Sequence, residues 1–232
     1  MNDVGVIQHT EGEFLGLLED HFESRAIGFT YHRPFVPGGR LPLGPSEHAT
    51  LLLLGGGPLG AVSGDLLPTL APELRLIRAF LAEDRAVIGF GLGAVLLAIA
   101  DGGGAETTPL RFDVTEARRV APHALAGFLP ERYPLVRYGR DRAVLPPAAQ
   151  VLATAADGTP ALFRLGGKGF GFAGHPGIKR GMIEDMAMTT DPTPVDLAHG
   201  LEALGTVQRA VADALGPIAT GLAAVCGLME GR

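Results

Sequence analysis

Few residues in this chain have types and spacing that could carry chemistry, and most of those are glycines. Gly89-Phe90-Gly91-Leu92-Gly93-Ala94 closes an apolar run and opens residues 94–100, which contain no polar side chain. A strand that turns sharply into a helix buried on every side exposes one residue beside a helix N-terminus. The same six residues formally match Gly-x-Gly-x-x-Ala, the turn that brings backbone to a dinucleotide pyrophosphate. That fingerprint also needs an acid about 20 positions on at a strand end, and none is placed there. Gly55-Gly56-Gly57-Pro58 ends another apolar run, and its N–H groups either hold an anion or only make the turn. His175, followed by Pro176, is either a ligand contact or a packed histidine. His9, His21, His32 and His48 lack metal-ligand spacing such as His-x3-His and read as surface or packed residues. No metal and no cofactor is expected. Arg137, Arg140, Asp141 and Arg142 form a charge run that is either a solvated face or a pocket mouth.

The elements that must position these residues follow from periodicity. Residues 4–8 read as a short strand. Phe14, Leu17, Leu18 and Phe22 have helical spacing, which predicts a helix over 11–22. Residues 26–31 read as a strand, and 33–48, rich in Pro and Gly, as a loop. The four leucines at 51–54 fit a strand covered on both faces. Pro72 suits a first helical turn, followed by Leu74, Ile77, Phe80 and Leu81 on one face. Residues 86–90 are a second buried strand. Strand, helix and strand at this rhythm predict a doubly wound, mostly parallel sheet with flanking helices, of flavodoxin-like type. Ligands of such sheets sit beyond the carboxyl ends of the strands. After residue 110, β-type runs at 111–115, 133–138, 151–154, 161–164 and 169–173 follow with few helical patterns between them. Residues 195–215 and 218–229 return to helix, with a break expected at Gly216-Pro217. The division read from this is a domain over 1–190 and a helical extension over 191–232. Leu222, Val225, Leu228 and Met229 lie among small residues and suit either packing on the domain or a homodimer contact.

Three segments, in order, resemble the class I glutamine amidotransferase family, in particular its GMP synthase amidotransferase domains. They read LLGGGPLG at 53–60, GFGLGAVLLA at 89–98 and GFAGHPG at 171–177. Leu129-Pro130-Glu131-Arg132-Tyr133 and Leu145-Pro146-Pro147-Ala148 add weaker matches, so the likeness covers roughly 40–185. It implies the class I fold, and an elbow whose cysteine thiolate attacks the glutamine amide, helped by a histidine, an orienting acid and backbone N–H donors. Carried over residue by residue, the nucleophile falls on Gly91, the histidine on His175 and the acid on Gly177. The oxyanion donors fall on Gly56, Gly57 and the Leu92 N–H. The elbow glutamine falls on Val95, and a Trp-His-Gly-Asp stretch on Tyr138-Gly139-Arg140-Asp141. Nucleophile and acid are both replaced by glycine.

The resemblance therefore implies a degenerate, catalytically inactive relative, a binding, accessory or regulatory subunit taking a small molecule or partner protein in the former glutamine pocket. Two alternatives stay open: different chemistry in that pocket with His175 as base, and an amidotransferase with a relocated nucleophile. Cys226, the one cysteine, lies about 50 residues beyond His175 and makes no intramolecular disulfide. The 232 residues are 47% hydrophobic and 19% charged, with net charge −6 and scattered Lys and Arg, so no nucleic-acid footprint is present. The N-terminus lacks a basic start with an apolar run, and Pro217 interrupts the uncharged stretch 214–229. A cytoplasmic protein without membrane spans is expected.

Overall fold

The computed structural model describes residues 3–229. Its first half interleaves strands and helices, with only a loop between β2 and β3: β1 (Asp3–Ile7), α1 (Leu17–Ser24), β2 (Gly28–His32), β3 (Thr50–Leu53), α2 (Leu70–Ala82), β4 (Ala86–Phe90) and α3 (Leu92–Ala100). Leu51, Leu52, Leu53 and Leu54 have no exposed surface. Consecutive strand residues point to opposite faces, and these four divide accordingly. Leu52 and Leu54 join Leu18 and Phe22 of α1 on one face. Leu51 and Leu53 join Ile77 and Phe80 of α2 and Leu96 and Leu97 of α3 on the other. That two-sided cover is what the run of leucines predicted.

The second half is mostly strand: β5 (Gly104–Glu106), β6 (Arg111–Arg119), β7 (Arg132–Gly139), β8 (Arg142–Val144), β9 (Gln150–Ala155), β10 (Pro160–Leu165) and β11 (Gly169–Phe172). Two helices close the chain, α4 (Arg180–Thr189) and α5 (Leu197–Val225). The nine-stranded sheet runs β2-β1-β3-β4-β11-β10-β9-β6-β7. From β2 to β11 all neighbours are parallel. From β11 to β7 they are antiparallel, which needs only short turns and explains the scarcity of helices after residue 110. β5 and β8 pair separately. The chain leaves β1 toward β2 on one side and enters β3 on the other, so the carboxyl ends of β1 and β3 flank a crevice.

Two expected boundaries are corrected. The helix expected over 11–22 begins only at Leu17. Gly16 has φ +64, and a Cβ there would lie 2.2 Å from the Gly177 carbonyl oxygen, so the backbone is pressed onto a later turn instead of winding. The break expected at Gly216-Pro217 does not occur, because α5 is continuous through Pro217. Proline forfeits one helical hydrogen bond. The following turn buries Ile218, Ala219, Leu222 and Ala223, and unwinding it would expose them. Ile218 and Leu222 pack in the same core as α1 and the sheet. Among the described residues, no helix is long and apolar enough to cross a membrane.

Candidate functional site

The crevice is built from three turns at the carboxyl ends of the parallel strands β3, β4 and β11. β4 hands the chain to α3 at Gly91, whose φ of 51° and ψ of −113° lie where only glycine is unstrained. A Cβ built there meets nothing closer than the Gly55 Cα at 3.5 Å, so the space beside the elbow is open. Leu92 is the first residue of α3, and its N–H has no carbonyl one turn back to bond. Gly89 and Gly93 serve packing: Cβ atoms there would lie 2.4 Å from the Gly93 carbonyl carbon and 2.3 Å from the Leu53 oxygen. The glycines of the dinucleotide-like run thus let α3 lie close on β3.

The Gly55-Gly56-Gly57 turn after β3 faces Gly91 from across the crevice. Its N–H groups meet a carboxyl group of the chain itself. Gly57 N–H donates to Glu13 Oε2 at 3.3 Å, and the Gly55 backbone also hydrogen-bonds that carboxyl. Glu13 is 3% exposed. Burial raises its pKa to about 7, against the lowering pull of His9 and of the two backbone bonds. Behind the turn, His9 Nδ1–H donates to the Gly55 carbonyl at 2.7 Å, and Nε2 lies 2.9 Å from Glu73 Oε2. Both side chains of this pair are fully buried. Burial alone would lower the His9 pKa, but Glu73, the Gly55 carbonyl and Glu13 together raise it. A peptide plane carries its C=O and N–H on opposite edges. Fixing the Gly55 carbonyl toward His9 therefore aims the Gly56 N–H away from that ion pair.

The third turn follows β11 and carries His175, which is 6% exposed. Gly177 N–H donates to its Nδ1 at 3.1 Å, so the ring proton is on Nε2, which donates to the Phe14 carbonyl at 2.8 Å. Burial lowers its pKa to about 4 despite the bond to Phe14. His175 is therefore a neutral imidazole with both nitrogens engaged. A Cβ at Gly177 would lie 3.0 Å from the Leu15 oxygen, 3.1 Å from the Leu18 nitrogen and 3.4 Å from Leu215 Cδ2. Phe14, Leu15 and Leu18 all belong to the segment that Gly16 presses onto this turn, so the space beyond Gly177 is filled from α1 and α5.

No protein-family model and no curated protein matches the chain. Solved structures do match along its whole length. A glutamine amidotransferase of Thermotoga maritima aligns with TM-score 0.77 at 23% identity, over 99% of this chain and 98% of its own. One of Methylobacillus flagellatus aligns with TM-score 0.77 at 22% identity, over 100% of this chain and 96% of its own. The fold is that of the glutamine amidotransferases. At such identities the likeness carries the fold, and the chemistry has to be read from this chain's own side chains.

Within the glutamine amidotransferase fold, two cavities meet at Gly91. The smaller is lined by Glu13, Gly91, Val136, Tyr138 and His175 among others. The larger has a volume of about 40 Å³ and is lined by Gly91, Leu92, Val95 and Tyr138 together with the whole charge run Arg137, Arg140, Asp141 and Arg142. Tyr138 is a wall of both. The charge run thus borders a pocket. Arg137 binds Asp113 at 3.0 and 3.1 Å. Asp141 accepts the Ala61 and Val62 N–H groups at 2.7 and 2.9 Å and the Ser63 hydroxyl, pinning the loop after the glycine turn. Cys226 lies elsewhere. It borders Thr50 and Ala86, the amino ends of β3 and β4, whereas Gly91 follows the carboxyl end of β4. Burial pushes its thiol up to about 12. Sequence reading brought Gly56, Gly57, Gly91, Leu92, Val95, Tyr138, His175 and Gly177 to one crevice but missed Glu13, His9 and Glu73. Glu13 falls inside the run read as helix, and its backbone partners Gly55 and Gly57 lie more than 40 residues away. The one available signal was the pair Gly12 and Gly16 around it.

Proposed function

We propose that this chain is a glutamine amidotransferase-like protein that does not hydrolyse glutamine, and that it works by binding a small ligand or a partner in the cavities beside Gly91, as an accessory or regulatory subunit. The observation that carries this reading is the bare elbow: Gly91 has strained-turn dihedrals and open space but no nucleophilic atom. Loss of a triad nucleophile costs about a millionfold in turnover. Cys226 cannot substitute, being buried at the opposite end of the strands with its thiol held protonated. The test is release of ammonia and glutamate from glutamine by purified protein. None above the no-enzyme rate is expected, and turnover of several per second would overturn the reading.

A second reading, an enzyme of different chemistry in the same pocket, draws on Glu13. Its carboxyl, held near neutrality, faces the cavity that also contains Gly91. A base must have a free lone pair at working pH, and His175 has both nitrogens committed. A search for turnover across small amides and esters separates the readings: activity abolished by Glu13→Gln favours the second.

A further inference from the structure

Outside the crevice, the protein carries a cluster that the glutamine amidotransferase reading does not use. His32 ends β2, while Glu47 and His48 lie in the loop before β3. Because β2 and β3 both pair with β1, residues about 15 apart in the chain come together, which no short ligand spacing could have revealed. His32 Nε2 and His48 Nε2 are 2.7 Å apart. One ligand atom from each of His32, Glu47 and His48 lies within 4.8 Å of the others. None of the three lines the cavities beside Gly91.

The surroundings fix both rings. His48 lies against β1 at Gly5, where a Cβ would come within 2.5 Å of its Cδ2, so only glycine admits the ring. Its Nδ1 sits 3.0 Å from Asp3 Oδ2. A carboxylate only accepts, so Nδ1 carries the proton and Nε2 presents a lone pair. His32 Nε2 is the atom turned on His48. The lone pair of His48 Nε2 therefore meets either a proton carried by His32 Nε2 or a metal ion that both rings bind. The carboxylate behind His48 is the partner that metal-bound histidines commonly have. Glu47 is held in place by the Leu43 N–H at 3.0 Å and by Arg40 at 3.2 and 3.3 Å. The Arg40 side chain is 59% exposed and free to turn to solvent. A surface groove lined by His32, Arg33, Val36, Gly39 and Arg40 gives access.

We propose that His32, His48 and Glu47 form a binding site for one divalent transition-metal ion of the zinc class, with water as the fourth ligand. Two imidazoles and one carboxylate suit zinc, cobalt or nickel and not magnesium or calcium. Around a tetrahedral ion the two nitrogens stand roughly 3.3 Å apart, so each ring turns slightly on loading.

The test titrates chelator-treated, full-length protein with Zn²⁺ in a calorimeter and follows Co²⁺ by visible absorption. One equivalent at micromolar affinity or tighter is expected, with the visible bands of a four-coordinate cobalt site and a melting temperature raised by Zn²⁺. His32→Ala and His48→Ala each weaken binding at least about 100-fold, and Glu47→Gln and Asp3→Asn each about 10-fold. If the histidine variants fail to fold, the Glu47 and Asp3 variants decide, because unchanged affinity in both overturns the site. So does a parent protein that takes up no stoichiometric Zn²⁺, which leaves a histidine–histidine hydrogen bond with a shared proton. Binding that survives the double histidine variant at full affinity places the ion elsewhere and also overturns it.

Discussion

Two turns of the crevice carry glycine where the resemblance places catalytic side chains, and they differ in what surrounds the glycine. At Gly91 the backbone keeps the dihedrals of a strained elbow, and a side chain would enter open space. At Gly177 the place of a side chain is taken by Leu15, Leu18 and Leu215. The first turn has room for a side chain beside it. The second does not, because the segment from Phe14 to Leu18 lies over it and Phe14 accepts the His175 Nε2–H. A side chain placed at 91 thus meets open space, whereas one placed at 177 meets the packing of Leu15, Leu18 and Leu215.

The largest effect expected from this contrast is at the closed turn. Gly177→Glu forces backbone atoms of Leu15 and Leu18 apart and buries a carboxylate with no partner. A loss of about 3–5 kcal/mol follows in urea unfolding. A variant that folds with less than about 1 kcal/mol lost would erase the difference between the turns. The open side has its own support in the buried pair of His9 and Glu73. Glu73→Gln removes the buried carboxyl that His9 Nε2 meets at 2.9 Å, costing about 3 kcal/mol. The shift should show in the same assay and extend to the Gly55 turn, read as faster amide exchange at Gly55 and Gly56.

Glu13 sharpens the contrast through pH. Its folded pKa of about 7 lies above the ordinary value of 4.5. Between those pH values the folded chain holds a proton that the unfolded chain has released. Stability from this group is therefore complete below about pH 4.5 and declines as pH rises to about 7, by about 3 kcal/mol at most. Glu13→Gln should remove that decline, so that the variant gains on the parent from pH 5 to pH 8 in parallel urea titrations. His175 behaves oppositely. Its pKa of about 4 means that its contribution is present above about 6.5 and lost as pH falls toward 4. Its imidazole resonances should keep the Nε2–H tautomer from pH 8 to pH 5.

How far the sequence reveals these features depends on the distance over which each is encoded. The buried strands at 51–54 and 86–90 and the elbow between strand and helix are local patterns, and all were legible. The antiparallel half was legible as strands without their order, since pairing such as β6 with both β7 and β9 is fixed by tertiary contact. Pro217 was misread because local chemistry argues for a break while burial of the next turn overrides it. Glu13 was hidden because its neighbourhood has helical spacing, and only the approach of Gly16 to Gly177 shows that the helix starts late.

The smallest structural effect, and the most direct test of the open turn, is Gly91→Cys. A non-glycine residue at φ +51 costs about 1–2 kcal/mol. With the nearest atom to its Cβ at 3.5 Å, the variant should fold. Its thiol would sit at the N-terminus of α3, beside the Leu92 N–H, where a thiolate is favoured. It should therefore be alkylated by a glutamine-shaped chloroketone faster than by iodoacetamide, with the parent unlabelled, as read by mass spectrometry. Turnover of glutamine should stay absent, because His175 donates to Phe14 and has no lone pair free to take the thiol proton. Labelling without turnover is the signature of an open elbow beside a closed histidine turn. Restored turnover in Gly91→Cys alone would mean that the histidine turn opens in solution, and the contrast between the two glycines would then be one of atoms only.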